Sequence, residues 1–117
     1  MATKALFKNG DIVRVKESIL NILSANPEKN NFHIYEDDIA SLIGPGMIAD
    51  TIYWLEDSDL LSEYKVVAVA PWENLKNIRV VPLEEKVLCR TNWWFRQEIM
   101  EKAVMNIDME IRILPIG

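Results

Sequence analysis

The sequence predicts an α+β fold in which three short helices lead into a β-hairpin, with a further helix and a terminal strand after it. Three observations carry this. Apolar residues recur at helical spacing over residues 11–25, 39–43 and 48–55. A Gly44-Pro45-Gly46 turn separates the second and third of these runs. Two valine-rich stretches, SEYKVVAVA and NIRVVP, are joined by the turn-forming loop PWENLKN. With 117 residues, half of them apolar, the chain is expected to fold as a single domain, 1–117, around one core.

In order, residues 11–25 set Ile12, Val15, Ile19, Ile22 and Leu23 on one helical face, with Asp11 as N-cap and Asn26-Pro27 as the stop. Phe32 and Ile34 alternate around His33, which predicts a very short strand before the second helix. Glu36, Asp37 and Asp38 fall in the first turn of that helix, where its dipole favours carboxylates. The helix buries Ile39, Leu42 and Ile43 and stops at Gly44. Pro45 suits the first turn of the third helix, whose core face is Ile48, Ile52 and Leu55 and whose exit runs through Ser58-Asp59 into Leu60-Leu61. The hairpin carries Trp72 at its tip. From Leu83 the pattern turns helical again. In NWWFRQEIMEKAVMNI an apolar face of Phe95, Ile99, Met100, Ala103, Val104 and Ile107 opposes polar residues. DMEIRILPIG then alternates as a strand that Pro115 ends. No repeat, low-complexity tract or linker divides the chain.

The net charge of -5 conceals a segregation. Residues 30–64 contain eight carboxylates (Glu36, Asp37, Asp38, Asp50, Glu56, Asp57, Asp59 and Glu63) and no lysine or arginine, so this stretch repels polyanions. A lone cysteine, Cys89, and a lone histidine, His33, supply neither a disulfide nor a metal-ligand spacing, and no motif accompanies them as nucleophile and base. No catalytic residue, metal or cofactor is therefore expected, and the chain is expected not to be an enzyme. No apolar run approaches the ~20 residues of a membrane span, and MATKALFKNGD lacks the apolar stretch of a signal peptide, so a cytoplasmic location is expected.

"IASLIG" paired with "TIYWLEDSDLLSEYKVVAV" resembles the second helix, turn, third helix and first wing strand of the winged helix-turn-helix superfamily. The resemblance covers residues 11 to 107 and implies a winged-helix-like three-helix core with a β-hairpin wing. It also implies a DNA-reading third helix. Where the family often has a glycine before the wing this chain has Asp59, which tolerates the same turn. Turning about 100° per residue from Ile48, Ile52 and Leu55 brings Gly46, Asp50, Tyr53 and Asp57 outward, with Met47 and Trp54 on the flank. Aspartates cannot approach phosphates favourably, whereas Tyr, Trp and Met are enriched at protein interfaces. The expected function is therefore a regulatory or assembly adaptor that binds a protein partner through Met47, Asp50, Tyr53, Trp54, Asp57 and Trp72. The alternative is a DNA-binding transcriptional regulator whose wing contacts phosphates through Lys65, Lys76 and Arg79. A homodimer is expected from Trp93, Trp94 and the alternating Ile111 and Ile113, which form an apolar seam at the end of the chain.

Overall fold

The computed structural model describes residues 4–25, 27, 29–71 and 74–103. Its elements are β1 (Ile12–Val15), α1 (Glu17–Leu23), a 3-10 segment (Lys29–Tyr35), α2 (Glu36–Ile43), α3 (Ile48–Asp57), β2 (Tyr64–Val69), β3 (Ile78–Pro82), a 3-10 turn (Gln97–Ile99) and β4 (Met100–Lys102). The fold is thus α+β: three helices lie between the first and second strands of an antiparallel sheet ordered β3-β2-β1-β4.

The expected first helix is two elements. Val13 and Val15 point into the core and Arg14 outward, the period-2 pattern of a strand, and β-branched residues fit that pleated surface. β1 pairs on one side with β2 (Val13↔Tyr64) and on the other with β4 (Arg14↔Glu101), so neither of its edges is left to solvent. The helix begins only at Glu17 and buries Ile19 and Leu23. Likewise the short strand expected at Phe32–Ile34 is part of the 3-10 segment, with Phe32 fully buried.

α2 and α3 lie close to their expected positions, with Glu36, Asp37 and Asp38 in the first turn of α2. Leu42, expected in the core, is 54 % exposed, while Ile39 and Ile43 are buried. Gly44 and Gly46 sit at φ +87° and +103°, conformations that only glycine adopts without strain, and Met47 follows in the left-handed region at φ 55°.

The hairpin β2–β3 is formed as expected, with a bulge between Val66 and Ala68. The helix expected from Leu83 to Ile107 is absent from its described part. Phe95 instead bridges to Ile78 on the outer edge of β3 through two backbone bonds of 2.9 and 3.1 Å. A 3-10 turn then delivers β4 to the far side of β1, where Ile99 O accepts from Lys16 N and Ala103 N donates to Ile12 O, both at 2.9 Å. The same apolar residues are buried (Phe95, Ile99, Met100, Ala103), but sheet edges satisfy their backbone where a helix would have done so locally. The terminal strand expected after Ile107 lies outside the described residues.

This connection also curves the sheet. A flat sheet would separate the strand outside β3 from β4 by four strand spacings, roughly 19 Å. The chain from Phe95 to Met100 reaches at most about 17 Å when extended, and a 3-10 turn shortens it. The sheet must therefore curl. Trp54 stacks on Phe95 (centroids 4.2 Å apart) and meets Tyr64 edge-on (5.3 Å).

Candidate interaction surface

The outward face of α3 is where the sequence placed a partner, and the structure covers much of it. Trp54 is fully buried, so its expected place on the exposed flank is corrected. The segment from Arg90 to Arg96 crosses this face. Arg90 pairs with Asp57 and lies over the Trp93 ring at 4.6 Å, and Trp93 Nε1 donates to Asp50 O at 2.9 Å. Arg96 N donates to Thr51 Oγ1 at 3.1 Å. Tyr53 stands well out, at 45 % exposure with His33 edge-on against its ring, and Gly46 and Asp57 are exposed as well. Met47 is half-buried beside Leu75 and Asn77. Trp72 lies outside the described residues.

Arg96 anchors the arrangement. Its side chain is 4 % exposed, and its Nη2 donates to Ile43 O at 2.6 Å. Nη1 lies 3.1, 2.8 and 2.9 Å from the carbonyls of Gly44, Pro45 and Gly46, and Nε donates to Glu98 at 3.0 Å. One guanidinium thus meets the last carbonyl of α2, at the negative end of its dipole, and the three carbonyls of the turn into α3. Gln97, also buried, accepts from Leu6 N and donates to Lys4 O, fastening the N-terminal stretch to the sheet.

The cations proposed for a DNA-contacting wing are dispersed in role. Lys65 is exposed on β2, Lys76 is half-buried, and Arg79 is held over the Trp94 ring at 5.3 Å. Both tryptophans of the expected dimer seam, Trp93 and Trp94, are half-buried in intrachain contacts, while Ile111 and Ile113 lie outside the described residues.

His33 and Cys89 are not brought together as a catalytic pair. His33 Nδ1 meets Glu36 at 2.5 Å and its Nε2 lies 3.8 Å from Glu56, whose other oxygen accepts from Phe32 N at 2.8 Å, so it ties the 3-10 segment to α2 and α3. Burial pushes the Cys89 thiol above its usual range, which disfavours the thiolate nucleophile. Burial, reinforced by Cys89 and opposed by a backbone hydrogen bond to Asp59, also raises the Tyr64 phenol well above its usual value.

The surface the sequence reading missed lies at the exit of α3. Leu61 is 83 % exposed and lines three adjoining hollows of 380, 480 and 270 Å³. Leu20, Leu60, Phe32 and Leu83 extend the apolar floor on either side of it. The turn that presents Leu61 is hydrogen-bonded throughout. Asp59 Oδ1 accepts from Leu61 N (3.0 Å), Asp59 O accepts from Ser62 N (3.3 Å), and the Tyr64 hydroxyl donates to Asp59 O (2.7 Å) while accepting from Asp59 N (3.1 Å). The available signal was two adjacent leucines among Asp57, Asp59 and Glu63, a combination that a helix exit does not require.

Among the described residues no helix is long and apolar enough to cross a membrane. Comparison with protein-family models, with curated protein sequences and with solved structures finds no match to this chain.

Proposed function

We propose that this chain is a non-enzymatic, cytoplasmic interaction module that binds a protein partner, serving as an assembly or regulatory adaptor. The observation that carries the reading is Leu61, 83 % exposed on a hydrogen-bonded turn beside an apolar hollow, in the stretch of sequence that has eight carboxylates and no lysine or arginine. An exposed leucine held on an ordered turn offers a protein partner an apolar contact, and its acidic setting disfavours nucleic acid.

The winged-helix-like reading belongs here as well. The run of α2, glycine turn, α3 and hairpin supports it; β1 ahead of α1 and the return of the chain to β4 depart from the predicted order. The homodimer proposed from the sequence is assigned to Ile111 and Ile113 ahead of Trp93 and Trp94, whose rings are engaged within the chain. The test is a titration of labelled duplex DNA with the purified chain at low salt, read by anisotropy. The proposal expects no saturable binding. Binding that weakens steeply with salt and is lost on Lys65→Glu or Lys76→Glu would replace it with the DNA-regulator reading.

A further inference from the structure

The geometry points to the hollow around Leu61 as the docking site, and to its occupant as a lysine- or arginine-bearing amphipathic segment of the partner protein. This inference rests on the protein-binding reading and names the surface and the chemistry it selects. The apolar floor lies in the 480 Å³ hollow, where Leu20, Leu23, Phe32, Leu60 and Leu61 gather; Leu61 joins it to the two more polar hollows, and Leu20 and Leu60 are common to two of the three. Such a floor accepts successive apolar side chains from one face of a segment. The rim is acidic. Glu17 edges the first hollow, Asp59 the second, and Glu63 and Glu84 the third, while Glu101 in the first is offset by its pair with Arg14. Among the lining residues the one base is Arg14, and it is already bonded to Glu101 at 3.0 Å. Apolar residues flanked by cations complement this surface in both respects.

The same charge disfavours two other occupants. A second copy docking through a twofold axis would set this acidic rim against itself. The chain's own residues 104–117 carry Asp108 and Glu110 against Arg112 alone, and so offer no excess of positive charge. Preorganisation favours the site further. Leu61 stands on a turn fixed by Asp59 and Tyr64, so little conformational freedom remains to be lost when it is covered.

The test titrates the full chain with a labelled peptide of leucines at helical spacing and lysines elsewhere, and with a counterpart whose lysines are glutamates, at low and moderate salt. Leu61→Asp and Leu88→Asp serve as paired variants. Leu88 is 82 % exposed and lies outside the hollows that Leu61 lines, so both substitutions are expected to leave the fold intact, checked by circular dichroism. The expected result is binding of the lysine peptide alone, weakened at least about tenfold by Leu61→Asp and unchanged by Leu88→Asp. Equal loss in both variants, or in neither, would overturn the site while leaving a protein-binding role elsewhere on the chain. Preference for the glutamate peptide, or binding of neither peptide, would overturn the charge argument. Salt-sensitive DNA binding in the separate titration would instead remove the functional reading itself.

Discussion

Replacing Arg96 by alanine removes the group that holds α2, the glycine turn and the 3-10 turn together. The loss is worked from its contacts. The carbonyls of Ile43, Gly44, Pro45 and Gly46 lose their shared donor, and Glu98 loses its ion-pair partner. Bonds to charged groups contribute about 1.5–3 kcal/mol each, but those made by one guanidinium are not additive. Breaking a buried pair by removing one partner costs about 3–5 kcal/mol, and that range is expected for Arg96→Ala. With a urea dependence of about 1–3 kcal/mol per molar, the unfolding midpoint falls by roughly 1–5 M. Tryptophan fluorescence reads this directly, since Trp54 lies in the core. Arg96→Lys restores the charge without the planar fork and is expected to recover about half of the loss. A cost below about 1 kcal/mol for Arg96→Ala would refute the reasoning, because it would mean that water meets these carbonyls as well as the guanidinium does.

Trp54→Ala is expected to cost about 3–5 kcal/mol in the same assay by opening a cavity beneath Phe95 and Tyr64. Trp54→Phe should cost much less, because the buried indole N–H has no acceptor among the described residues. Tyr64 governs the alkaline limit: its phenol is raised above its ordinary value of 10.0, so the unfolded chain ionises first. This contribution is complete below pH about 10 and is lost as pH rises beyond it, by about 1.4 kcal/mol per pH unit. Urea midpoints across this range should therefore fall more steeply for the native chain than for Tyr64→Phe, which also loses about 1–3 kcal/mol at neutral pH with its bonds to Asp59.

Local signals made α2, α3 and the hairpin legible. Acidic first turns, glycine stops and valine runs act within a few residues, and the structure places these elements close to their expected bounds. The rest failed where distant chain decided the outcome. Ile12, Val15 and Ile19 fit a helical face, yet Val13-Arg14-Val15 also alternates, and the strand prevails because β2 and β4 flank it. Residues 93–103 carry helical apolar spacing, but Phe95 and Ile99 give their backbone bonds to β3 and to Lys16. Trp54 was set on an outer flank by rotation about α3 alone, and the strap that covers it comes from some forty residues later in the chain. Arg96 carries no local mark of burial; the backbone carbonyls that accept from it lie about fifty residues earlier.

The most direct measurement places a photo-crosslinking residue at position 61 of the full chain, and separately at position 88, in the cell that expresses it. The account predicts a nuclease-resistant adduct at position 61 to one protein, joined through a lysine- or arginine-bearing amphipathic peptide, and no such adduct at position 88. An adduct at position 61 to nucleic acid, or no protein adduct there while position 88 yields one, would contradict it.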